Sequence, residues 1–356
     1  EEKTMDALFL GIDTGTQGVR IGISDAKGNI LTTHEKKWET IYPKMGWVEQ
    51  EPSIWWDYIL DTMEKCCEDL TEEQKQSIVS CCVCSTSSTV LAIDREGNPI
   101  MNAMMWMDAR SAKEMKEIND TKHPVLDYCG GETSFEWFVP KVLWLKNNER
   151  ELYDSCYKIV EQLDWINFKL CGKLFASMCN ATCKWNYVKS LGGFQKDFFE
   201  EIGLEDYEDK ILTDVKEIGE ELGVVRSELA NRFGFNENMK VVQGGIDAHM
   251  AMFGLDVVEP NKLGIIMGTS FVHLCLSEER TQINGIWGPY DSAVIDELWL
   301  LEGGQISASG LVNWFRENFH IDDGDDNPYA RLMRAAESVP IGSEGITVLD
   351  FFQGNR

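Results

Sequence analysis

Positive charge is what this chain has too little of: 33 Lys and Arg stand against 60 Asp and Glu, a formal net charge of −27. A surface that acidic repels nucleic acid and anionic lipid, and neither is expected as a partner. Histidine is scarce as well, with five in 356 residues, which leaves little for metal chemistry. No apolar run reaches membrane-spanning length and the N-terminus carries no signal-peptide pattern, so no membrane partner is expected. The Walker sequence Gly-x-x-x-x-Gly-Lys-Ser/Thr is missing too. If this chain handles phosphates, it must do so with turn N–H groups, hydroxyls and a cation.

Cysteine, by contrast, is plentiful. The eleven residues are an odd number, and two pairs are adjacent, Cys66-Cys67 and Cys81-Cys82. Vicinal cysteines make a poor disulfide framework, and Cys81-Cys82-Val83-Cys84 sits in an apolar run that reads as a buried strand. Reduced thiols serving as small hydrophobes in a cytoplasmic protein are expected. Cys81 and Cys84 have Cys-x-x-Cys spacing, but no second such pair and no His cluster accompanies them, so zinc is not expected. A hydrophobic content of 43% allows a sizeable core, and the length favours two domains.

The chain is organised around Leu8-Phe-Leu-Gly-Ile-Asp-Thr-Gly-Thr-Gln-Gly-Val-Arg-Ile-Gly-Ile-Ser24. Two apolar, β-branched runs flank a turn of Asp13, Thr14, Gly15, Thr16, Gln17 and Gly18, a strand–turn–strand pattern. The glycines allow close backbone approach, so the turn suits a phosphate, with Asp13 holding a metal ion. An ordinary hairpin is the plainer reading. A third strand at 30–34 completes a meander. Pro52 opens a helix running to about 70, with Ser53 as its cap. Strands follow at 78–84 and 90–94, with a short one within 100–106. Residues 108–235 read as mostly helical, and strand character returns at 240–243. This order predicts an α/β domain with a mixed sheet.

Residues 263–276 repeat the opening logic: two apolar strands flank a small turn, Gly268-Thr269-Ser270. Two such hairpins roughly 250 residues apart predict two related domains facing each other, gripping a nucleotide tail from both sides. Between them, Asp247 follows a strand and two glycines and precedes a helical run. That position suits a general base, and equally a plain N-cap. Lys184 beside Trp185 is either a hydrogen-bonding group for sugar hydroxyls or a solvated surface residue. Glu302, before Gly303-Gly304, is either a hydroxyl acceptor or an ordinary strand end. Tryptophans 55, 56, 144, 165 and 185 read as core.

Taken together, the chain resembles the FGGY family of carbohydrate kinases. The matching pieces are Gly11-Ile-Asp-Thr-Gly-Thr-Gln17, Gly46-Trp-Val-Glu-Gln-Glu-Pro52, Trp106-Met-Asp-Ala-Arg110, Gly244-Gly-Ile-Asp-Ala248, Gly268-Thr-Ser270 and Glu302-Gly-Gly-Gln305. Within the family, Thr182-Cys-Lys-Trp-Asn-Tyr187 and Gly285-Ile-Trp-Gly-Pro-Tyr290 look most like the ribulokinase branch. The resemblance implies an α/β fold of two ribonuclease-H-like domains, of the actin and sugar-kinase superfamily, with ATP and sugar in the cleft between them. The N-terminal domain would cover 5–254 and an incomplete C-terminal domain 255–356, since the family's adenine-binding segment is expected beyond Arg356.

By the same resemblance, Asp13 organises Mg²⁺, Thr14, Gly15, Thr16 and Gln17 form the first phosphate turn, and Gly268, Thr269 and Ser270 the second. Asp247 falls on the catalytic base, Lys184 and Glu302 on sugar contacts, and Asp108 and Arg110 on a segment near the sugar. The implied activity is ATP-dependent phosphorylation of the terminal hydroxyl of a ribulose-like ketopentose. Xylulose or another carbohydrate or signalling molecule is the alternative acceptor, and a homodimer stays open. A non-catalytic or chaperone-like ATPase of the superfamily is the alternative of another class, one with no need of Asp247, Lys184 and Glu302 together.

Overall fold

The opening stretch folds as its pattern predicts. Strands Leu8–Gly15 and Gly18–Asp25 pair antiparallel, and Ile30–Lys37 pairs with the second of them. Leu8, Leu10 and Ile12 point into the core from the first strand, and Val19, Ile21 and Ile23 from the second. Each such side chain contributes about 1.5–3 kcal/mol when fully buried. Gly18 is required for steric reasons, because a Cβ there would lie 2.4 Å from the Lys36 carbonyl oxygen.

The computed structural model describes residues 7–268, 271–305, 308–319 and 327–349. Thr269 and Ser270, expected in the second phosphate turn, lie outside the described residues. The first sheet has six strands in the order Glu221–Val224, Lys240–Val242, Ile78–Ser85, Leu8–Gly15, Gly18–Asp25, Ile30–Lys37. Ile78–Ser85 lies parallel to both of its neighbours. Three strands therefore end at the same edge of the sheet, which is where α/β sheets bind ligands.

Helix Pro52–Glu68 lies over the meander, turning Trp55, Ile59, Met63 and Cys66 inward at helical spacing. Helix Gln162–Cys171 packs on Ile78–Ser85 and meets the first helix through Trp55 and Trp165, ring centroids 6.1 Å apart. A small four-stranded sheet, Glu49–Gln50, Ala103–Met104, Val90–Ile93 and Lys158–Glu161, flanks them. The second large sheet contains Leu263–Met267, Phe271–Ser277, Trp299–Gln305 and Trp287–Asp291. Helix Asp247–Gly254 touches both large sheets and forms the floor between them. No helix among the described residues is long and apolar enough to cross a membrane.

Some local expectations change. Ser53 is not the cap of its helix: Pro52 is already helical, Glu51 occupies the N-cap position, and the Ser53 hydroxyl donates to Glu51. Between that helix and the strand Ile78–Ser85 lies a further short helix, Glu72–Gln76, with a capping box between Thr71 and Gln74. Strand Lys158–Glu161 interrupts the region expected to be mostly helical.

Among the described glycines, Gly244 has the tightest surroundings: a Cβ there would lie 1.8 Å from the Val83 carbonyl oxygen. Gly254, at the end of the floor helix, has nothing within 4 Å of a Cβ. In urea unfolding, Gly244→Ala is expected to cost at least about 1–3 kcal/mol. Gly254→Ala is expected to leave stability unchanged or raise it by up to about 1 kcal/mol. Equal stabilities for the two variants would contradict this packing.

Candidate active site

The three strand ends are stitched together by backbone hydrogen bonds. Ser85 N–H donates to Gly245 O at 3.2 Å, and Thr86 N–H donates to Thr14 O at 3.2 Å. The Ser177 hydroxyl fixes the Gly244 carbonyl at 2.7 Å. Asp247 emerges from this knot into a cleft of about 1530 Å³ between the two large sheets, lined also by Asp13, Gly15, Thr16, Gln17, Lys184, Gly268 and Glu302.

Asp247 is the first residue of its helix, and Ile246 occupies the N-cap position, so the plain N-cap alternative does not describe it. Its Oδ1 accepts from the Ala248 N–H at 2.7 Å. Burial raises its carboxyl to about 6; the Ala248 hydrogen bond opposes this and the nearby Asp13 carboxylate adds to it. Asp13 is itself raised by burial, against the Cys84 thiol, which donates to it at 3.5 Å, and Arg20 at 3.9 Å. The Asp13 carboxylate, on the cleft wall of a protein of charge −27, is an oxygen donor of the kind a hard dication such as Mg²⁺ takes.

The turn after Asp13 is braced from behind. The Thr16 carbonyl accepts from Trp38 Nε1 and Gln50 Nε2, at 3.2 and 2.9 Å, and its hydroxyl accepts from Trp106 Nε1 at 3.0 Å. Gln17 is exposed. Thr14 does not join the cleft wall as expected: it is fully buried, and its hydroxyl donates to Cys84 O at 3.1 Å.

Also in the cleft wall, Lys184 from helix Met178–Lys184 meets Glu302 from strand Trp299–Gln305 at 3.0 Å. Both are buried, so Lys184 is not the solvated surface residue of the alternative reading. Burial works against each charge, yet their mutual attraction dominates, holding Lys184 above and Glu302 well below their usual ranges. Trp137, Trp287 and Tyr290 surround the ammonium, with centroids 4.9, 5.1 and 5.5 Å from Nζ. The neighbouring Trp185 turns away from the cleft, stacking on Phe138 and donating to Glu161.

Asp108 and Arg110 are not brought to the cleft. Arg110 donates to Asp108 at 2.7 and 2.8 Å and to Glu49 at 2.7 Å, with its guanidinium 3.6 Å above the Trp47 ring. Asp108 also accepts from Val48 N–H at 2.6 Å. With both side chains buried, the two residues lock one loop to another.

Several cleft residues escaped the sequence reading: Glu136, Trp137, His249 and Trp287. Trp287 lies in a segment singled out for its resemblance, the one signal that pointed to it. A group that the sequence does not single out is Cys179, Cys183 and His249, which meet in the interior with donor atoms within 4.8 Å of one another. Folding joins residues 70 positions apart there, which no local spacing reveals.

Comparison with known proteins agrees with this architecture. Residues 8–254 match the N-terminal domain, and 263–356 the C-terminal domain, of the FGGY family of carbohydrate kinases. The FGGY carbohydrate kinase domain-containing protein of Xenopus laevis is 32% identical over 340 residues, covering 88% of this chain and 61% of that protein. The ribulokinase of Bacillus licheniformis is 26% identical over 338 residues, covering 87% and 60%. The gluconate kinase structure from Lactobacillus acidophilus superposes with a TM-score of 0.85 at 18% identity, covering 98% of this chain and 69% of that one. The chain thus spans about three-fifths of the length of these curated relatives. With both domain models matched across nearly its whole length, the chain belongs to the FGGY family of carbohydrate kinases.

Proposed function

We propose that this chain carries the phosphate turn, the base and the sugar site of an ATP-dependent kinase acting on the terminal hydroxyl of a ribulose-like ketopentose. One observation carries the reading. A single cleft is lined by the turn from Gly15 to Gly18 with the Asp13 carboxylate before it, by Asp247, and by a desolvated Lys184–Glu302 pair beside Trp137 and Trp287. The match to a ribulokinase supports a ketopentose as acceptor.

Each group has a physical task in that reaction. Glu302 accepts from sugar hydroxyls and Lys184 donates to them, while Trp137 and Trp287 offer apolar faces to the carbon skeleton. The N–H groups from Gly15 to Gly18 cradle phosphate oxygens, with Gly268 approaching from the second domain. Mg²⁺, held by Asp13, would neutralise phosphate charge in a protein too acidic to do so itself. Asp247 takes the proton from the attacking hydroxyl, and a base near 6 is ionised at neutral pH while retaining affinity for that proton.

In the full-length protein, Asp247→Asn is expected to lower phosphate transfer by about 10²–10⁴ while sugar affinity, read by calorimetry, stays within a few-fold. Retained transfer would remove Asp247 as the base. The pH dependence of kcat/KM should fall below about pH 6, because protonated Asp247 cannot accept the hydroxyl proton.

The same shift has a stability signature in the present chain. Ionising a carboxyl whose native pKa is raised costs folding energy, and Asn imitates the protonated form. Asp247→Asn is therefore expected to leave stability unchanged below pH 3.8 and to add about 1–3 kcal/mol above pH 6. A loss of stability at pH 8 would contradict the raised pKa. Asp13→Ala should abolish Mg²⁺-dependent turnover without weakening sugar binding; normal turnover at low Mg²⁺ would exclude it as the metal ligand.

A further inference from the structure

Beside the Lys184–Glu302 pair lies a group of donors that phosphate transfer leaves unused. Cys179 and Cys183 stand one turn apart on helix Met178–Lys184 and share a face. His249 reaches them from helix Asp247–Gly254. All three are buried, and their donor atoms lie within 4.8 Å of one another. Cys179 Sγ is 3.5 Å from His249 Nδ1. A tetrahedral ion with a thiolate at about 2.3 Å and an imidazole at about 2.0 Å holds those two donors about 3.5 Å apart.

The other side of the ring is also prepared. His249 Nε2 faces Glu302 Oε2 at 3.6 Å and has no closer hydrogen-bond partner among the described residues. A carboxylate behind a ligating histidine fixes the ring orientation and raises its basicity.

We propose that Cys179, Cys183 and His249 form a site for a zinc-class dication, bound through two thiolates and Nδ1, with Glu302 orienting the imidazole. Thiolate and imidazole donors select zinc-class ions over Mg²⁺, which requires oxygen ligands. Three protein donors leave one coordination position free for a water. His249 and Glu302 line the cleft, so the ion enters from there. The thiols and the imidazole bind such an ion in their deprotonated forms, so its uptake releases protons and tightens as pH rises. The site stands whether or not the cleft phosphorylates a sugar.

The test uses the whole chain, reduced and stripped with chelator, and Co²⁺ as the probe. One equivalent is expected to bind with a thiolate-to-cobalt charge-transfer band and intense tetrahedral d–d bands, displaced by Zn²⁺ and untouched by excess Mg²⁺. The double variant Cys179→Ser, Cys183→Ser should lose the charge-transfer band, and Glu302→Gln should keep it with affinity about 10–100-fold weaker. A wild-type chain without the band, or a band undiminished in the double variant, overturns the proposal. If the double variant does not fold, Glu302→Gln decides, and unchanged affinity there overturns the role of the carboxylate and the site with it.

Discussion

Everything at the cleft depends on how closely the chain passes over the end of strand Ile78–Ser85. Gly244 crosses Val83 so tightly that no side chain fits, and a Cβ on Gly245 would lie 2.9 Å from Cys179 Cβ. The two glycines thus answer two different neighbours, a strand on one side and a helix on the other. Only after both contacts are made does the chain turn into the helix that begins at Asp247. The position of that carboxylate is therefore set by backbone packing in the first domain, with Ser177 and Ser85 closing the hydrogen bonds that packing exposes.

A second consequence concerns residues that carry sequence signal without touching the cleft. Gln50 and Trp106 come from two separate motifs, and both end on Thr16. Asp108 and Arg110 fasten those motifs to each other through Glu49 and Val48. Lys141 adds a third fastening, donating to the carbonyls of Ser88 and Met105 at 2.7 and 2.6 Å, at the expense of a pKa lowered by burial to about 7. The turn after Asp13 is short and polar and could not hold a shape alone. These residues hold it from behind, so a strong motif marks the support as readily as the surface that meets a ligand.

Legibility follows from this division. The hairpins were readable because alternation of period two and glycine punctuation are local properties, and Asp247 because a strand, two glycines and a helix announce themselves in order. Strand Lys158–Glu161 was not, because its four residues lie between helices and its pairing partner Val90–Ile93 is distant in sequence. The resemblance puts Asp108 and Arg110 in a segment near the sugar, yet a shared motif does not say which way a side chain points, and here each side chain is buried against the other. Trp185 sits next to Lys184 but points elsewhere, whereas Trp137 and Trp287, which do surround the lysine, come from other elements. Cys179, Cys183 and His249 show the same limit from the side of chemistry: tertiary structure alone creates the cluster.

The Lys184–Glu302 pair shows why function rather than stability explains such groups. A buried ion pair gains little over well-packed apolar residues of the same size, since desolvation consumes most of the attraction. This pair joins two domains at 3.0 Å among aromatic rings, where apolar residues would hold the interface as well. What apolar residues could not supply is a donor and an acceptor already stripped of water and fixed in direction. A polyol gives up many hydrogen bonds to solvent on binding, and it binds only where equivalent partners wait without further ordering cost. The same desolvation that makes the pair a poor structural device makes it a good partner for hydroxyls, and it brings Glu302 within reach of His249. The proposed sugar contacts and the sulfur–imidazole cluster would therefore share one carboxylate, and a ligand on either side of Glu302 would act on the other through it.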